Sequence, residues 1–122
     1  MNILLIEDEA GVREVLVDML RALGHSVLAV ADGLAGLRRL QAGDPVDVVL
    51  TDLKMPGMSG LQVFNVIKER WPDLPVGIIT GTPESLAELR EPVDVIIHKP
   101  VGLDALQRAL SRLRGGPDAA AS

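Results

Sequence analysis

Val46-Asp47-Val48-Val49-Leu50-Thr51-Asp52-Leu53-Lys54-Met55-Pro56-Gly57-Met58-Ser59-Gly60, residues 46–60, is the stretch that decides the fold. Val46 to Thr51 is nearly all apolar and rich in β-branched residues, the pattern of a central strand buried on both faces of a parallel sheet. Lys54 to Met58 holds Pro and Gly side by side, which is loop chemistry. A helix near residues 59–70 then presents Val63, Phe64 and Ile67 to the core. Asp52 stands between these parts, a carboxylate at the carboxyl end of a buried strand.

The same alternation of short apolar run and helical period extends in both directions, as it does in a parallel sheet wrapped by helices. Residues 2–7 read as a first strand. A helix over about 10–23 follows, with Val12, Val15, Leu16, Met19, Leu20 and Leu23 on one face and Gly24 closing it. A second strand covers about 26–30, and a short helix carrying Leu34, Leu37 and Leu40 ends before Gly43-Asp44-Pro45. Val76 to Thr80 is strand four, and Pro83 to Arg90 allows only about two helical turns. Val93 to Ile97 is strand five and runs into Lys99-Pro100. The last helix has Leu103, Leu106, Leu110 and Leu113 on one stripe and is expected to stop at Gly115-Gly116-Pro117. The reading is one α/β domain over 1–114, with five helices of which the fourth is shortened, and a flexible tail or linker start over 115–122.

Composition narrows the function. The chain has 122 residues, 48% hydrophobic and 24% charged, which suits one folded domain. A net charge of −5 argues against direct nucleic-acid binding, since that affinity comes from clustered Lys and Arg releasing counterions. No cysteine is present, so zinc-thiolate sites and thiol nucleophiles are excluded. Ile3 to Ile6 gives way at once to Glu7-Asp8-Glu9, too short and too acidic for a membrane span or signal peptide. A cytoplasmic location is the default expectation.

In a parallel sheet all strand carboxyl ends share one edge, where ligands bind. Glu7 and Asp8 end strand one, Asp52 strand three, Thr80 strand four and Lys99 strand five. Crowded carboxylates repel, and a cation is needed to neutralise them. An all-oxygen ligand set selects Mg²⁺, Mn²⁺ or Ca²⁺, and Mg²⁺ typically takes one or two carboxylates while keeping waters and a phosphate oxygen. Asp52 alone would read as a solvated or capping carboxylate; its meaning comes from Asp8, Thr80 and Lys99. Glu9 reads as favouring the first turn of the helix, His25 and His98 as surface or rim residues, and Trp71 and Phe64 as packing residues.

Together, Glu7-Asp8, Asp52 in its Thr51-to-Gly60 setting, Thr80-Gly81 and Lys99-Pro100 resemble the receiver domains of two-component response regulators over residues 2 to about 114. The resemblance implies a flavodoxin-like doubly wound sheet of strand order 2-1-3-4-5. It also implies that Asp52 accepts a phosphoryl group from a histidine kinase or phosphotransfer protein. Asp8, Asp52 and the backbone carbonyl of Lys54 would bind Mg²⁺, with Glu7 acting mainly through a coordinated water. Lys99 would pair with the acceptor and then the phosphoryl group, and Thr80 would move toward that group and report it to an effector. Such a domain catalyses only its own modification and is not an enzyme in the usual sense.

The sequence departs from the family where Tyr or Phe is usual three positions before the lysine: here it is Ile96. Glu91-Pro92 replaces a small-residue pair, and Val101 stands where Phe is common. These changes predict that the chain does not dimerise through the face of the fourth helix, fifth strand and fifth helix. Lys54 cannot accept a proton from an attacking water, so slow self-dephosphorylation is expected. The competing readings are a pseudo-receiver, an interaction module used without phosphorylation, and a haloacid-dehalogenase-like phosphatase. The latter needs an Asp-x-Asp pair that Glu7-Asp8-Glu9 does not offer.

Overall fold

The computed structural model describes residues 1–81 and 93–121, with side chains described as far as residue 114. Five parallel strands, β1 (Asn2–Ile6), β2 (Ser26–Val30), β3 (Val48–Asp52), β4 (Val76–Thr80) and β5 (Val95–His98), form one sheet in the order β2-β1-β3-β4-β5. This is the doubly wound order implied by the resemblance. Among the described residues there are four helices: α1 (Ala10–Ala22), α2 (Gly33–Gln41), α3 (Gly60–Arg70) and α4 (Leu103–Ala121). The expected short helix at 83–90 lies outside the described residues.

Strand residues alternate between two cores, as the period of two demands. Ile3, Leu5, Val48, Leu50 and Ile79 pack with Leu16 and Leu20 of α1 and Leu106, Leu110 and Leu113 of α4. Leu4, Ile6, Val49, Val76 and Ile78 pack with Leu37 and Leu40 of α2 and Val63, Phe64 and Ile67 of α3 on the other face. β3 is buried along its whole length. Its central place holds Asp52 between the ends of its neighbours.

Helix ends follow local chemistry. Gly24 adopts φ 92°, and the amides of Gly24 and His25 donate to the carbonyls of Arg21 and Leu20 at 2.9 and 3.1 Å. This 5→2 and 6→1 pair closes α1 through a left-handed residue that glycine adopts without steric cost. α3 begins with a capping box: the Ser59 hydroxyl accepts from the Gln62 amide and the Gln62 side chain accepts from the Ser59 amide. At the opposite edge of the sheet, Lys68 of α3 pairs with Asp94 at 2.6 Å, and Asp94 also accepts from the Val76 amide at 2.8 Å.

Three expectations are corrected. Val15, Leu34 and Leu103 are 57%, 51% and 47% exposed, so none belongs to the core. In α2 the buried stripe runs through Gly33, Gly36, Leu37 and Leu40. A Cβ on Gly36 would meet Ile6 at 2.5 Å and one on Gly33 would meet Val63 at 2.5 Å, so glycines bring the helix close and Leu34 is left at the rim. β3 begins at Val48 and includes Asp52, β5 begins at Val95, and Glu7 follows the last residue of β1. Finally, α4 continues through Gly115-Gly116-Pro117 to Ala121. The Ala119-Ala120-Ala121 run has high helix propensity and supports the extension despite the missing proline N–H.

Candidate functional site

Glu7, Asp8 and Asp52 each offer a carboxylate oxygen within 4.8 Å of the others at the carboxyl edge of the sheet. Lys99 reaches the same point from the end of β5. Its Nζ lies 3.2 Å from Asp52 Oδ2 and 3.3 Å from Glu7 Oε1. The other Asp52 oxygen, Oδ1, accepts from the Leu53 amide at 2.9 Å. Thr80 ends β4, is buried, and its carbonyl accepts from the Lys99 amide at 2.9 Å. The Lys99–Pro100 peptide bond is cis. Lys54 is exposed in the loop after β3, and Glu9 is an exposed N-cap residue of α1 outside the cluster, with no side-chain capping bond.

The electrostatics follow from burial. Glu7 is fully buried, and its pKa is pushed up to about 7, first by burial, then by the Asp52 carboxylate and a hydrogen bond with Asp8. Lys99 counts against that rise. Burial by itself drives the Lys99 ammonium down, but Asp52 and Glu7 together hold it above its ordinary value. Asp52 and Glu7 share the Lys99 ammonium, and the Asp8 carboxylate lies beside them. A donor set made only of carboxylate oxygens, on one sheet edge, fits a hard divalent cation.

Two features supporting this arrangement are easily overlooked in the sequence. A Cβ on Gly60 would lie 2.1 Å from the Asp52 carbonyl oxygen, so only glycine lets α3 start against the end of β3. Arg13 in the first turns of α1 donates from Nη1 to the Glu7 carbonyl at 2.8 Å. The signal for Gly60 was its place one residue after a capping serine. For Arg13 it was a cation near a helix N-terminus, where the dipole disfavours one.

Residues 3–111 match the profile of the response regulator receiver domain. The chain belongs to this family. It is 36% identical over 112 residues to the transcriptional regulatory protein GlrR of Escherichia coli, covering 89% of this chain and 25% of that protein. It is 33% identical to the response regulator protein FleR of Pseudomonas aeruginosa, covering 96% of this chain and 26% of that one. The chain thus spans about a quarter of these relatives. Among solved structures it resembles a response regulator receiver protein from Sinorhizobium medicae, with TM-score 0.86, 30% identity and 95% of each chain covered. It also resembles the response regulator TrrA of Thermotoga maritima in complex with Mg²⁺-BeF, with TM-score 0.85, 27% identity, and 92% and 97% covered. As a receiver domain it is a signalling module of two-component systems and not a conventional enzyme. Among its described residues no helix is long and apolar enough to cross a membrane. Ile96, at the position where the family usually has an aromatic residue, is half-buried on β5 beside Ile78.

Proposed function

We propose that this receiver domain accepts a phosphoryl group on Asp52 from a histidine kinase or phosphotransfer protein in a Mg²⁺-dependent reaction. The observation that carries the proposal is the convergence of the Glu7, Asp8 and Asp52 carboxylates with the Lys99 ammonium at one strand edge. Glu7, Asp8, Asp52 and the Lys54 backbone carbonyl would hold the magnesium ion, which supplies charge neutralisation in a loose phosphoryl-transfer transition state. The Leu53 amide fixes one Asp52 oxygen, leaving Oδ2, the oxygen that Lys99 faces, as the nucleophile. Attack by this oxygen on phosphorus forms an acyl phosphate while the donor imidazole departs with the bonding electron pair. Lys99 then pairs with the new phosphoryl oxygens, and the Thr80 hydroxyl donates to one of them.

The added group brings roughly −1.5 to −2 charges and three strong acceptors, enough to bias a bistable surface toward a downstream effector. That Mg²⁺ and BeF occur together in the TrrA structure supports the same ligand chemistry here. The retained acid pair, acceptor, threonine and lysine favour phosphorylation over a pseudo-receiver role. Incubation with acetyl phosphate followed by intact-mass spectrometry tests the proposal. One added phosphoryl group is expected with Mg²⁺ and none with a chelator; an unmodified mass under both conditions contradicts it.

A further inference from the structure

We infer that Arg13 is a positioning residue for the metal site, holding the Glu7-Asp8 peptide in the orientation that lets both carboxylates converge with Asp52. The inference rests on the proposed magnesium site. Glu7 is the first residue beyond β1, and its amide still donates to Val30 of β2 at 3.1 Å. Its carbonyl accepts from Arg13 Nη1 at 2.8 Å. The Ile6–Glu7 peptide is thus held by the sheet, and the Glu7–Asp8 peptide plane that follows it is held by Arg13 of α1. Because that plane sets the direction in which the Asp8 Cβ leaves the chain, the guanidinium fixes where the Asp8 carboxylate can lie.

The placement of Arg13 is otherwise unfavourable. It is the fourth residue of α1, close to the positive end of the helix dipole. Its charge also works against a bound cation, since a guanidinium anchored to Glu7 repels a divalent ion beside the same residue. Positioning and electrostatics therefore predict opposite signs when Arg13 is removed. If Arg13 acted by charge alone, Arg13→Met would bind Mg²⁺ more tightly. If it positions the ligands, Arg13→Met binds more weakly, because groups that orient ligands from behind typically contribute about 10–100-fold in metal affinity.

The test is Mg²⁺ titration calorimetry on the wild-type chain, Arg13→Met and Arg13→Lys, with magnesium-free thermal melts run alongside. About tenfold weaker uptake by Arg13→Met is expected, with part of the loss recovered by Arg13→Lys, which keeps a donor. Should Arg13→Met fail to fold, Arg13→Gln takes its place with the same expected sign. Equal or tighter binding by the variant, beside normal binding by the wild type, overturns the positioning role. Absence of uptake by the wild type would instead overturn the metal reading, and this inference with it.

Discussion

Glu7→Gln should stabilise the metal-free protein, and by an amount that grows with pH. The folded state raises the Glu7 pKa from 4.5 to about 7, chiefly through burial and the nearby Asp52 carboxylate. Below pH 4.5 the side chain is protonated whether folded or unfolded, and its burial adds no charge penalty. As pH rises from there the unfolded chain ionises while the folded one keeps its proton, so stability falls until about pH 7 and then levels off. The full loss is about 3 kcal/mol, and the side chain is too buried for solvent to screen much of it. Glutamine has nearly the shape of the protonated acid and does not titrate. Urea denaturation in EDTA should therefore find the variant close to wild type at pH 4 and about 3 kcal/mol more stable at pH 8, a gain of roughly 10 °C in Tm. Magnesium should reverse the order, since it stabilises the ionised wild type by mass action and the variant far less. A stability difference that stays constant from pH 4 to 8, or a variant less stable than wild type at pH 8, would refute the reasoning.

Other consequences are more local. Gly60→Ala would set a methyl against the Asp52 carbonyl, where no flexible side chain can yield; a loss of about 3 kcal/mol and slower phosphoryl acceptance are expected, checked by denaturation and by rates with acetyl phosphate. Lys54 is exposed and donor-only, so the acyl phosphate should hydrolyse slowly, and Lys54→Ala should not prolong it; a half-life of seconds that lengthens in the variant contradicts this. Ile96 on β5 predicts that the beryllofluoride complex does not dimerise through the β5 and α4 face, and a crystal structure burying that face between two copies would count against it.

Much of the fold was legible because β-strand period and burial agree. The near-continuous apolar runs of β3 and β4, bounded by turn residues, read as central strands and put Asp52 and Thr80 at one edge. The same rule brings Glu7, Asp8 and Lys99 to that edge, while the strand order and the pairing of Lys99 with Asp52 were implied by the resemblance. What escaped the sequence depended on close approach. Gly33, Gly36 and Gly60 do not register in a count of hydrophobic residues, yet they admit neighbouring atoms that a Cβ would exclude. The exposure of Val15 and Leu103 reflects the narrow arc by which each helix meets the sheet, which periodicity marks only to within one residue on either flank. Arg13 was hidden because its partner is a backbone carbonyl, and side-chain identity carries no trace of that acceptor. The helix through Pro117 shows a strong local stop signal overruled by the alanine-rich segment beyond it.

The most direct measurement is to locate the modified residue. After reaction with acetyl phosphate and Mg²⁺, borohydride reduces an aspartyl phosphate to homoserine, which peptide mass spectrometry can place. Homoserine is expected at position 52 alone, and absent when EDTA replaces magnesium. Homoserine at position 8, or label persisting in Asp52→Asn, would contradict it.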